Sequence, residues 1–502
     1  MDDRNQTPAT IAGHVVAMPY PGRGHVNPMM NLCKLLLSKN SDILVTFVVT
    51  EEWFGFIASD PKPENIRFAT IPNVIPSEHV RANDFVAFLE AVMVKMDAPF
   101  QDLLHRLHPP PTVIIYDTYL SWVVRVANRT NIPVASFFPM SASFFAVLKH
   151  YHLLQQNGHY PVNVSEDGEK RVDYIPGNSS IRLADFPLHD ESWRSRKLLE
   201  LALNHVPWVH KSQYLLFPSI YELEPRAIDA LKAEFSIPIY TVGPAIPYFG
   251  NGHIGASKHG YFEWLDNQPS GSVLYISQGS FLSVSSAQID EIAAGVRESG
   301  VRFLWVQGKE SDRLKEMCGD KGVVLGWCDQ MRVLQHHAIG GFWSHCGWNS
   351  TREGVYCGVP FLAFPIFMDQ PLNVKNSSNV TAKQSFTDAW VQANISKPDN
   401  IRLRSIPNVV PSELTRANDH LAFMEAVMSK MEAPFDHLLH RLQPPPTLIL
   451  ADTFLYWAVA VGNRRNVPVA SFWTMSASIF SVLHHHHLLE QHAHYPLNFS
   501  GN

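Results

Sequence analysis

Apolar and polar residues alternate in blocks along the first three-quarters of the chain. The run His14-Val15-Val16-Ala17-Met18-Pro19 is apolar and β-branched enough to predict a buried strand. A loop from Tyr20 to Val26 follows. Asn27 and Pro28 then predict a helix start, with asparagine as N-cap and proline at the first helical position. Ile43 to Thr50 reads as the next strand, and the pattern recurs with Thr112 to Tyr116, a helix from about Trp122, and Val134 to Phe138. Strand–helix–strand units with strands apolar throughout predict an α/β fold with a parallel, doubly wound sheet. Beyond Tyr240-Thr241-Val242-Gly243-Pro244 a second α/β unit begins, with strands at Ser272 to Ile276, Phe303 to Val306 and Gly340 to Trp343. The proline- and glycine-rich residues 244–255 predict a linker, so domains are expected at 1–243 and 256–396.

The rest of the chain is a repeat. Lys397 to Ser500 aligns with Lys62 to Ser165 without a gap at an offset of 335, and 68 of the 104 positions are identical. Pro72-Asn73-Val74 returns as Pro407-Asn408-Val409, and Pro109-Pro110-Pro111 as Pro444-Pro445-Pro446. Two copies so far apart cannot stack as solenoid repeats do. Residues 397–502 are therefore expected to be a partial second N-terminal domain without its first strand or its equivalent of the His25 loop. Strands are expected at Thr447 to Ala451 and Val467 to Phe472, with a helix from His420 to Leu442. The run His484 to His487 lies in this copy; only His484 and His487 share a helical face, with no cysteine or carboxylate to complete a metal site.

Composition narrows the function. At 502 residues, 46% hydrophobic and 17% charged, the chain is globular and too long for one core. A net charge of -6 with no basic patch argues against a nucleic-acid partner. Met1 to Thr10 lacks the order of a secretory leader, and no apolar run reaches the length of a membrane span. The five cysteines Cys33, Cys318, Cys328, Cys346 and Cys357 are odd in number and lack CxxC spacing, which fits a reducing, cytoplasmic compartment. Triplets such as those at Asn163 and Asn379 are then expected to stay unglycosylated.

The densest chemistry lies between Trp327 and Gln370. In Gly340-Gly341-Phe342-Trp343-Ser344-His345-Cys346-Gly347-Trp348-Asn349-Ser350 a strand runs into a turn, and Trp348 opens a helix. Backbone N–H groups and the helix dipole favour an anion there, and His345 and Ser350 add donors. Strand–turn–helix junctions at the carboxyl edge of a parallel sheet are where nucleotides bind. Glu353, Gly358-Val359-Pro360 and Asp369-Gln370 follow.

This string, from Trp327-Cys328-Asp329-Gln330 through Trp348 to Asp369-Gln370, resembles the plant secondary-product glycosyltransferase box of the family 1 UDP-glycosyltransferases. The resemblance covers most of residues 12 to 375, including Trp264-Leu265-Asp266 and Ser277-Gln278-Gly279-Ser280. It implies two Rossmann-like domains of the GT-B type, the first binding the acceptor and the second a UDP-sugar. By that resemblance Trp327 stacks on uracil, Gln330 meets the base through its backbone, and Glu353 accepts from the ribose hydroxyls. Ser280, His345, Asn349 and Ser350 hold the diphosphate, with Trp348 in the same binding set. Asp369 and Gln370 bind sugar hydroxyls, and Gln370 resembles glucose users. Pro21-Gly22-Arg23-Gly24-His25-Val26-Asn27-Pro28 resembles the loop carrying the family's catalytic base, His25, and Asp117 matches its partner aspartate; helix N-cap is the alternative role for Asp117. An imidazole is a suitable base for a hydroxyl near neutral pH and works best with a carboxylate on its other nitrogen.

The resemblance implies an inverting, single displacement in which a sugar passes from a UDP-sugar to a hydroxyl of a small phenolic, flavonoid-like or terpenoid acceptor. No cofactor or metal is expected, since the UDP-sugar is a co-substrate and no Asp-x-Asp pair is present. A monomer is expected. The likeness ends near Asn376, where the family continues with a strand and helices but this chain turns polar and then repeats itself. The second domain is thus expected to be truncated. The alternative function is a catalytically impaired fusion product or a non-catalytic nucleotide-sugar binder.

Overall fold

The computed structural model describes residues 12–81, 84–187, 192–244, 246, 260–279, 286–308, 311–377, 406, 409, 420–442 and 444–472. The chain divides into two compact units, Met1–Ser396 and Lys397–Asn502.

The first unit carries two parallel sheets. Strands β1 (Gly13–Met18), β2 (Ile43–Thr50), β3 (Ile66–Ile71), β4 (Val113–Asp117) and β5 (Val134–Phe137) belong to one of them. A small antiparallel pair follows, β6 (Arg171–Val172) with β7 (Ile181–Arg182). Strands β8 (Tyr214–Phe217) and β9 (Ile239–Thr241) complete the first sheet, ordered β3-β2-β1-β4-β5-β8-β9. Its strands are apolar throughout because both faces are covered: Val16 and Met18 of β1 enter one core, Val15 and Ala17 the other. The second sheet consists of β10 (Val273–Ser277), β11 (Arg302–Val306), β12 (Gly322–Leu325), β13 (Ile339–Ser344) and β14 (Phe361–Ala363), ordered β12-β11-β10-β13-β14. Each sheet reverses its winding beside its first strand, between β1 and β4 and between β10 and β13, which makes the carboxyl ends of these four strands the natural ligand positions. The expected pair of Rossmann-like domains is therefore the observed fold.

The helix after β1 starts earlier than the sequence suggests. It spans Arg23–Lys39 with Gly22 as N-cap, so His25 is in its first turn and Pro28 is interior. An interior proline has no N–H for the carbonyl four residues before it. That carbonyl, Gly24 O, instead accepts from Asn349 Nδ2 of the second sheet's domain at 3.0 Å. Most of the residues expected to form the linker lie outside the described residues, as does the segment 378–405.

The second unit reproduces local details of its template. Here β15 (Ile449–Asp452) pairs in parallel with β16 (Val469–Phe472), as β4 does with β5. Trp457 Nε1 donates to Val427 O at 3.0 Å, matching Trp122 to Val92 at 3.1 Å. The expected single helix is two, His420–Lys430 and Glu432–Arg441. Pro434 lacks an N–H for the carbonyl of Lys430 and breaks the helix there. Among the described residues β15 has no strand on its other side, where β4 has β1. Leu450 is accordingly 68% exposed, whereas its counterpart Ile115 is 5% exposed. The run His484 to His487 lies outside the described residues.

Candidate active site

Neighbouring strands bring His25 and Asp117 together. Asp117 ends β4, is fully buried, and accepts from Tyr119 N–H at 3.0 Å through Oδ1. Its other oxygen is 2.7 Å from His25 Nδ1. An ionised carboxylate can only accept, so Nδ1 carries the proton and the lone pair is left on Nε2. Asp117 thus combines the turn-capping role with that of histidine partner. The imidazole is packed by Tyr20 and Tyr119, at ring-centroid distances of 4.9 and 6.0 Å. In the repeat, Asp452 keeps the turn bond, from Phe454 N–H at 2.9 Å, but no histidine pairs with it among the described residues.

The donor-side residues gather at the ends of β10 and β13. The helix Trp348–Cys357 opens at Gly347 without a cap from that residue's side chain, and with the Trp348 N–H taken by Asp369 the N–H groups of Asn349 and Ser350 remain for an anion. Beside it the His345 ring lies between Gly279 and Gly347. A Cβ would come within 2.8 Å of His345 Nε2 at the first and 2.5 Å at the second, so only glycine fits. Burial lowers the His345 pKa to about 4, which keeps it a neutral donor, and its Nδ1 has no partner among the described residues. Gln278 is buried with both amide atoms likewise unpartnered. The sequence signal for Gln278 was its place between β10 and Gly279, but no role was assigned to it. Ser280 lies outside the described residues.

Trp327 is 67% exposed, a free aromatic plane for a base. Gln330 spends its side chain internally: Oε1 accepts from Tyr275 Oη at 3.0 Å, and Nε2 donates to Ser350 Oγ at 3.0 Å and Glu353 Oε2 at 2.7 Å. Only its backbone remains for a ligand. Burial raises the Glu353 pKa. Asp369 is buried and accepts from Asn373 Nδ2 at 2.7 Å and from the Trp348 N–H, and burial pushes its pKa up to about 6. Asn349 Nδ2, in the first turn of the Trp348–Cys357 helix, donates to Gly24 O beside His25 at 3.0 Å, which brings the two halves of the site together. Gln370 Oε1 accepts from Ile366 and Phe367 N–H at 2.6 and 2.9 Å, leaving its amide nitrogen for a ligand.

Trp348 stands apart from the other candidates. It is 3% exposed and packs with Ile220, Leu223 and Val355, and its Nε1 donates to Pro218 O at 3.2 Å. Its side chain fastens one domain of the first unit to the other and is not presented to a ligand. Asn349 is similarly engaged with Gly24, at the seam beside His25. Sequence reasoning also missed Arg352, which is buried four residues after Trp348, and whose pKa burial lowers to about 10.

An imidazole held by a carboxylate in the first domain, beside an uncapped helix start in the second, is the arrangement expected of a two-domain transferase that uses a nucleotide-activated donor. Residues 232–399 match the family model described as UDP-glucoronosyl and UDP-glucosyl transferase. UDP-glycosyltransferase 87A1 of Arabidopsis thaliana is 54% identical over 365 residues, covering 71% of this chain and 82% of that protein. Among solved structures, a UDP-glucose:anthocyanidin 3-O-glucosyltransferase in complex with UDP has a TM-score of 0.63 at 24% identity, covering 73% of this chain and 84% of that one. An O. sativa enzyme complexed with trichothecene has the same TM-score at 26% identity and the same coverages. The chain belongs to the plant family 1 UDP-glycosyltransferases, enzymes that transfer a sugar from a UDP-sugar to a small acceptor. No helix among the described residues is long and apolar enough to cross a membrane.

Proposed function

We propose that this chain transfers glucose from UDP-glucose to a hydroxyl of a small hydrophobic acceptor, a phenolic, flavonoid or terpenoid, with inversion at the anomeric carbon. The observation that carries this reading is the 2.7 Å bond from His25 Nδ1 to Asp117, which leaves Nε2 as a base at the seam with the donor site. His25 Nε2 takes the acceptor proton, the acceptor oxygen forms its bond to the anomeric carbon, and the bond to the UDP oxygen breaks. The leaving diphosphate is stabilised by the helix terminus at Trp348, by neutral His345 and by Ser350 and Ser280. Asn349 joins them if its bond to Gly24 is exchanged for one to phosphate. Trp327 stacks on the uracil, the Gln330 backbone meets the base, and Glu353 accepts from the ribose. Asp369 and the Gln370 amide hold sugar hydroxyls, and glucose is favoured because Gln370 ends the box. The reaction needs no metal or cofactor, and the chain works as a cytoplasmic monomer. The test is UDP release across mixed phenolic and terpenoid acceptors, with UDP-glucose and UDP-galactose compared. Release with UDP-galactose alone would overturn the donor, and no release with any acceptor would overturn the activity.

A further inference from the structure

Arg352 is 2% exposed in the second turn of the Trp348–Cys357 helix, and its Nε and Nη1 have no hydrogen-bond partner among the described residues. Burial lowers its pKa only to about 10, so the guanidinium is charged at neutral pH. Residues four apart share a helix face, so Arg352 lies on the side that Trp348 closes against Pro218, Ile220 and Leu223 of the first domain. A buried charge with empty donors opposes folding, and an apolar side chain of similar volume avoids that cost. What Arg352 contributes is therefore to be sought in the one side-chain hydrogen bond it makes among the described residues. That bond runs from Nη2 back over the preceding turn to Asn349 Oδ1.

The bond decides which way the Asn349 amide faces. A guanidinium has donors and no acceptor, so the amide atom turned to it must be the oxygen. The amide nitrogen is thereby turned to the seam between the domains, where it donates to Gly24 O at 3.0 Å, next to His25. No other group holds Asn349 Oδ1 among the described residues. An amide whose oxygen is held by a cation is also the stronger donor through its nitrogen, because hydrogen bonds in a chain polarise one another.

We propose that Arg352 is a positioning residue for the donor, holding the Asn349 amide so that its nitrogen exchanges Gly24 O for a diphosphate oxygen without the amide turning over. This rests on the donor reading above and adds to it a residue that touches no ligand. Asn349 is ordered before the donor arrives, so the bond to phosphate forms without first having to fix the side chain. A guanidinium acting on the diphosphate by its charge alone would need no Asn349, and that difference is measurable.

The test is a double-mutant cycle on the full chain. UDP affinity is measured by calorimetry, with Tm alongside, for the natural chain, Arg352→Met, Asn349→Ala and the double variant. Asn349→Ala is expected to weaken UDP binding by about tenfold, the loss of one bond to a charged group. Arg352→Met is expected to weaken it about three- to fivefold with Tm unchanged or raised, since a buried charge is removed and no buried partner is stranded. The double variant should bind UDP as Asn349→Ala does, because Arg352 acts through that amide. If Arg352→Met does not fold, Arg352→Leu takes its place in the cycle. Unchanged affinity in the Arg352 variant overturns the proposal. So does a double variant weakened by the product of the two single effects, which would assign the loss to the charge itself or, with a lowered Tm, to the fold. Asn349→Ala binding UDP as tightly as the natural chain would instead contradict the diphosphate role of Asn349, and Arg352 would fall with it.

Discussion

Replacing Asp369 by asparagine should stabilise the first unit at neutral pH while weakening its hold on the sugar. Burial raises the Asp369 pKa from 3.8 to about 6 in the folded chain. A carboxylate whose folded pKa is raised disfavours folding when ionised. Its relief is complete below about pH 4 and is lost as the pH rises through about 6. The upward shift corresponds to about 3 kcal/mol of penalty at pH 7.5. Asparagine carries no charge and can still accept at one atom, but one of the donors now shared between Asn373 and the Trp348 N–H loses its partner. That loss costs about 1 kcal/mol, leaving a net gain of about 2 kcal/mol. For a unit of this size the gain is a rise of about 2–4 °C in Tm. The assay is thermal unfolding of both proteins from pH 4.5 to 8, with UDP-glucose affinity measured alongside. The variant should melt higher at pH 7.5, the difference should shrink as the pH falls through 6, and donor affinity should drop. A variant that melts at or below the natural chain at pH 7.5, or a difference independent of pH, would show that ionised Asp369 does not oppose folding.

Three further outcomes are expected. Glu353→Ala should weaken UDP binding by about 1.5–3 kcal/mol, the value of a charge-assisted bond to the ribose, and unchanged affinity by calorimetry would remove Glu353 from the site. Asp117→Asn should lower turnover by about 10²–10⁴ with UDP affinity kept, since an amide no longer fixes the proton on His25 Nδ1; near-normal turnover would show that the 2.7 Å bond has no catalytic part. Deleting Lys397 to Asn502 should leave UDP binding intact, because the donor-side residues all belong to the first unit; loss of binding in soluble protein would make the repeat integral to that unit.

The strands and their parallel pairing were legible because β1, β2 and β4 are apolar on both faces, and only a sheet covered on both sides requires that. His25 and Asp117 were legible as a pair only through family resemblance: they are 92 residues apart, and the hydrogen bond depends on β1 and β4 being neighbours. The helix start was misjudged because Asn27-Pro28 has the chemistry of an N-terminus, and the carbonyl that the proline leaves free finds Asn349 in a distant part of the chain. Trp348 is a similar case. Its position in the box says that it is needed but not whether it faces a ligand or Pro218.

In the proposed reaction His25, held by Asp117, deprotonates an acceptor hydroxyl that then displaces UDP from the sugar. The most direct measurement is the product formed from UDP-glucose and 2,6-dihydroxynaphthalene by the natural chain and by His25→Ala, with its anomeric configuration read by proton NMR. A β-glucoside is expected from the natural chain and a rate lower by about 10²–10⁴ in the variant, with UDP affinity nearly unchanged. An α-linked product, or a β-glucoside made by His25→Ala at an undiminished rate, would contradict that reaction.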